Sequence, residues 1–181
     1  NKIKPLEIKY ELEAQYNYLK NRGLDITHID SHQHIHMNPK IFKIIANFAK
    51  SKSINIRIAF PHIIKRKNGK YNLSKFFKQL VLYFVSRINA KYAKKISLKF
   101  NHSFNSIFDF HPFSLPSEFD YYQLAQLSKS DLHELMIHVY EISDELKEFY
   151  GDEFKSKCEF FKKANSEKDI LINKEIFNNF N

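Results

Sequence analysis

The chain has 181 residues, enough for a single domain with a real core, and 18 Phe with 10 Tyr supply much of the apolar bulk. Only 3 Gly argue against a Gly-rich phosphate loop, and the lone Cys158 excludes an internal disulfide framework and favours a reducing, cytoplasmic setting. A net charge of +9 raises nucleic acid and anionic membranes as partners, but the lysines are spread along the whole chain.

The densest basic cluster, Lys65-Arg66-Lys67 with Lys70, flanks Asn68-Gly69 and reads as a solvated turn. The most apolar run, Leu80 to Val85, is far short of the ~20 residues that cross a bilayer. Neither nucleic acid nor membrane is therefore an expected partner. Because the chain opens at Asn1 and not at Met, the lack of a signal-peptide pattern carries little weight.

Leu6 to Arg22 reads as a helix, with Ile8, Leu12, Tyr16 and Leu19 as its apolar stripe, Pro5 in the first turn and Gly23 as the stop. Leu24 to Asp30 reads as a short strand. Asn38 and Pro39 then make a good N-cap and first residue for a second helix, whose buried face is traced by Ile41, Ile44, Ile45, Phe48 and Ala49. Ile54 to Ile58 alternates cleanly as the next strand. A long helix follows, with Leu73, Phe76, Phe77, Leu80, Val81, Phe84, Val85 and Ile88 at core spacing.

Further on, Ile96 to Phe100 is a candidate strand, Pro112 to Pro116 a loop, and Glu118 to Leu127 a helix. Glu134 to His138 is a compact apolar run ending in a histidine, as a buried parallel strand would be. Glu167 to Phe180 reads as the last helix. Helix and strand alternate, the signature of parallel βαβ units, in which functional groups collect at the C-terminal ends of strands. His32, Arg57 and His138 all fall at or just beyond such ends.

Between the first strand and the second helix lies Thr27-His28-Ile29-Asp30-Ser31-His32-Gln33-His34-Ile35-His36. While the backbone stays extended, His28, Asp30, His32, His34 and His36 share one face. A strand is usually only about 5–6 residues long, so the alternation should break near Ser31 and the later histidines fan into a loop. Imidazole with carboxylate suits a divalent metal such as zinc, although a catalytic site needs only about three protein ligands and an open position. Plain surface histidines are the alternative.

The segment from Thr27 to His36, followed by Pro39, resembles the THxDSHxHxH signature of the YdjC/ChbG/HpnK family of carbohydrate deacetylases. The likeness extends through Glu11, Gln15, Gly23 and Arg57. It reaches Glu134-Leu135-Met136-Ile137-His138, which is similar to the family's E-L/V-M-x-H-P segment. The resemblance implies an α/β fold, a distorted (β/α) barrel related to polysaccharide deacetylases, incomplete at the N-terminus and at the C-terminus.

It also implies hydrolysis of the N-acetyl group of an amino sugar or oligosaccharide with one divalent metal, Mg or Zn, and is compatible with a homodimer. His32 is implied as the metal ligand, His138 as general acid and Arg57 as a group near the reaction centre. Asp30, His34 and His36 are implied to line the substrate site. The family's opening NADDFG-like segment and its later G-x-H-L-type segment do not occur here, and Val139-Tyr140 stands where Pro and a small residue are usual. The rival reading is an inactive remnant that binds carbohydrate or a protein partner.

Overall fold

The computed structural model describes residues 4–61, 73–106, 115, 117–128 and 133–172. The basic turn at 65–70, the 112–116 loop apart from Leu115, and residues 173–180 of the last helix lie outside the described residues. The chain forms two compact units: Asn1–Pro61 with Phe76–Phe104, and His62–Lys75 with Asn105–Asn181.

In the first unit, helix α1 covers Pro5–Lys20 and ends before Gly23, whose φ of +76° few other residues tolerate. Strand β1 is only His28–Ile29 and lies parallel to β2, Asn55–Ile56, with His28 opposite Asn55 and Ile29 opposite Ile56. Helix α2, Pro39–Lys52, joins them as a parallel crossover, and the Asn38 side chain caps it by accepting from Lys40 N–H at 3.0 Å. Its core face is Phe42, Ile45, Ala46, Phe48 and Ala49, so the expected stripe is rotated slightly to bring in Phe42 and Ala46. Ile54, Ile56 and Ile58 are all buried, as their alternation predicts.

Both strands are shorter than the sequence suggests. Leu24 to Ile26 lies outside β1, and Ile96 to Phe100 is not a strand: it meets the sheet through a parallel bridge from Phe100 to Ile56. A side chain does the work of a neighbouring strand here. Asn101 Oδ1 accepts from Ile58 N–H at 2.7 Å, while its amide donates to the Ile58 carbonyl at 3.0 Å and to the Ser103 carbonyl at 2.8 Å. Backbone groups buried without a ladder need such partners.

In helix α3, Leu73–Lys95, most of the expected face whose side chains are described is exposed, Val85 is half-buried, and the side chains of Leu73 and Phe76 lie outside the described residues. Phe77, Val81, Phe84 and Ile88 are 66%, 51%, 58% and 56% exposed, and the buried positions among the described side chains are Ser86, Asn89, Ala90 and Ala93. Small residues allow close approach, and two polar anchors choose the side. Ser86 Oγ–H donates to the Ala59 carbonyl at 2.9 Å, and Asn89 Nδ2 donates to the Met37 carbonyl at 2.8 Å. Core spacing alone did not reveal this, because either face of the helix has a helical period.

The second unit includes the end of β3, Ser103–Ser106, which neighbours β4, His133–Met136, in a two-stranded sheet. Helix α4, Glu118–Ser128, buries Tyr121 and Leu124 against Leu135, Ile170 and Leu171. Helix α5, Asp144–Tyr150, and helix α6, Glu153–Ile172, complete it. The last helix thus starts 14 residues before the expected Glu167, because Phe161 nucleates an aromatic cluster. Phe154 stacks on it at 5.2 Å, and Tyr140 and Tyr150 meet it at 5.4 and 4.9 Å. No helix among the described residues is long and apolar enough to cross a membrane.

Candidate active site

The histidine segment leaves the strand geometry where expected. Ser31 is still extended, with φ −147° and ψ 153°, and a 3₁₀ helix then covers His32–Met37. Inside it Gln33 and His34 are both left-handed, with φ of 51° and 57°. Left-handed backbone costs a non-Gly residue about 1–2 kcal/mol, so two in succession persist only if the surroundings hold them.

The holding group is His36. Its ring is fully buried. Its Nε2 lies 2.9 Å from the Arg57 carbonyl, which can only accept, so Nε2 carries the proton. Burial, outweighing that hydrogen bond, lowers the pKa below the usual imidazole value and keeps the ring neutral. Nδ1 therefore accepts from the Ser31 hydroxyl at 2.7 Å, and Ser31 Oγ accepts in turn from the His36 backbone N–H at 2.9 Å. His36 was expected to line the substrate site. With both ring nitrogens engaged and no exposed surface, it closes the loop onto β2 and presents no face to a substrate.

Asp30 and Arg57, at the adjacent ends of β1 and β2, form an ion pair. The Arg57 guanidinium also sits over the Phe104 ring, 5.2 Å from its centroid. The His34 ring meets the same Phe104 edge-on at 5.0 Å. Asp30, His34, His36 and Arg57 are therefore brought together around one strand end. His32, the implied ligand, is exposed on the first residue of the 3₁₀ helix. Its donor chemistry fits one ligand position of a divalent ion. Among the described residues, no group of three or more His, Cys, Asp or Glu stands close enough to hold an ion, so this donor set fits only in part.

His138 lies in the second unit, two residues beyond β4. Its backbone N–H donates to Glu167 Oε2 at 2.6 Å, and its ring meets Phe160 edge-on at 5.8 Å. Glu167 is fully buried, and its other oxygen accepts from Tyr121 O–H at 2.5 Å. Burial pushes its carboxyl pKa up, against the pull of both hydrogen bonds. Sequence reading missed Ser31, Tyr121, Phe104 and Glu167. Glu167 did leave a signal, as a lone carboxylate in helical register with Phe161 and Ala164 on the buried stripe of α6.

A family model described as YdjC-like protein matches residues 1–179. Chitooligosaccharide deacetylases of Citrobacter koseri and Salmonella dublin are each 47% identical over 53 residues, which is 29% of this chain and 21% of theirs. The matched stretch thus spans about a fifth of those relatives' length. A solved structure from Enterococcus faecalis, described as a cellobiose-phosphate cleavage protein, superposes with a TM-score of 0.60 at 17% identity. It covers 98% of this chain and 57% of that one, and the likeness shows a shared fold.

Proposed function

The chain belongs to the YdjC-like family, and from that membership we propose that it is part of a metal-dependent carbohydrate deacetylase acting in the cytoplasm on N-acetylated amino sugars or chito-oligosaccharides. The observation that carries this reading is the strained histidine turn at the end of β1, in a chain that the family model matches almost from end to end. The named activity of the relatives supports the substrate class. A (β/α) barrel is the architecture proposed around the α/β units.

A divalent metal, Mg or Zn, held at His32 would polarise the acetamide carbonyl and make a bound water more acidic. The chain's own residues act around that position. The Ser31–His36 closure keeps the turn from relaxing, so His32 is presented at a fixed point. Asp30 and Arg57 hold the two strand ends together and place a cation beside the site, where it would favour negative charge developing on a carbonyl oxygen. His34, packed on Phe104, offers an aromatic wall to a sugar ring. The family resemblance makes His138 the candidate general acid, a role the reaction needs because expelling an unprotonated amide nitrogen is prohibitive.

Acetate release from N-acetylated chito-oligosaccharides by the protein that carries this chain is the test. Metal-dependent release, abolished by His32→Ala, is the expected result. The 181 residues alone are expected to bind metal weakly and turn over little, since one ligand does not define a coordination sphere. Retained sugar binding without any acetate release would instead favour the binding-module reading.

A further inference from the structure

Glu167 is a buried ionisable group that the proposed deacetylation chemistry leaves without a role, and its surroundings point to one. It sits on α6 at 0% exposure. Its two carboxylate oxygens divide between two donors from separate elements: Tyr121 O–H on α4 and the His138 backbone N–H beyond β4. Bonds to an ionised acceptor are short and strong, and the 2.6 Å contact at His138 is of that kind. A backbone donor at the residue itself fixes where its Cα stands and how its side chain leaves the chain. From that anchor the His138 ring reaches the edge of Phe160, a neighbour of Phe161 on the same helix as Glu167.

We propose that Glu167, oriented by Tyr121, is a positioning residue for His138. This rests on the reading of His138 as the acid. An ionised carboxylate accepts from both donors at once. Glutamine offers the His138 N–H one neutral amide oxygen, while its amide can donate to the Tyr121 hydroxyl, so Glu167→Gln keeps the shape and loses the charge-assisted bond. Aspartate keeps both acceptors but withdraws them by a methylene. Tyr121→Phe removes one donor, leaves the His138 hydrogen bond in place and frees the carboxylate to turn.

The test is nuclear magnetic resonance on the 181-residue chain labelled with 15N-histidine, in wild type, Glu167→Gln and Tyr121→Phe. His36 of the first unit serves as the internal reference. The expected result is that the His138 amide proton moves upfield in Glu167→Gln, where a neutral amide oxygen replaces the carboxylate, and its ring signals move or broaden in both variants, while the His36 ring signals stay. Unmoved His138 ring signals in folded Glu167→Gln, or in folded Tyr121→Phe if the first variant does not fold, would overturn the proposal and leave Glu167 a purely structural residue. In the protein that releases acetate, Glu167→Gln should lower kcat about tenfold with KM unchanged, the size of effect that general-acid chemistry allows a displaced group. A rise in KM at constant kcat would also overturn it. Failure to find acetate release at all would count against the proposed function and leave the resonance test standing.

Discussion

Two buried ionisable side chains, His36 in the first unit and Glu167 in the second, hold their surroundings by the same means and with opposite charge logic. Each spans two elements through hydrogen bonds that include one to backbone. His36 is an imidazole that burial keeps neutral, so it serves with one donor and one acceptor. Glu167 is a carboxyl that burial pushes toward protonation, yet both partners that the geometry supplies are donors that suit the ionised form. The imidazole rests in its preferred state. For the carboxyl, burial and partners pull in opposite directions.

That difference sets the order of the expected effects. Glu167→Ala takes the acceptor away from two buried donors and should cost about 3 kcal/mol in chemical denaturation, the largest change expected. His36→Ala releases the Ser31 hydroxyl and the Arg57 carbonyl and removes a buried ring; about 2 kcal/mol is expected, with relaxation of the left-handed pair at Gln33 and His34. Equal costs for the two would break the comparison.

The pH dependence of stability sharpens it further, because the signs are opposite. The His36 contribution is present above the ordinary imidazole range and is lost as pH falls through its lowered folded-state value. The Glu167 contribution is present below the ordinary carboxyl range and is lost as pH rises through its raised folded-state value. Unfolding followed across pH should lose its His36 limb in His36→Asn and its Glu167 limb in Glu167→Gln. The smallest effects belong to the surface. Asp30→Asn, which breaks a part-exposed ion pair, should cost about 0.5 kcal/mol. Phe84→Ser on the exposed face of α3 should leave the denaturation midpoint within about 0.5 kcal/mol of wild type.

The histidine segment was legible because its information is local. Period-two alternation ends at Ser31, Asn38-Pro39 starts a helix, and both follow from backbone geometry within a few residues. The family signature was legible for the same reason. What each histidine does was not. His32 is exposed, His34 packs on Phe104, and His36 is sealed in by Arg57, 21 positions away. No spacing rule separates these three rings.

The same division runs through the fold. Local pattern determined the α/β alternation, the caps of α1 and α2, and the isoleucine face of β2, because each depends on neighbours within a turn or a strand. Tertiary structure alone decided which side of α3 is buried, where α6 begins, and that Asn101 replaces a stretch of sheet. The first and last depend on hydrogen bonds that Ser86, Asn89 and Asn101 make to residues beyond the reach of any helical or strand period, and the start of α6 on ring contacts that Phe161 makes with Tyr140 and Tyr150. A buried polar group must find a partner somewhere in the fold, and only the folded chain shows which one it found.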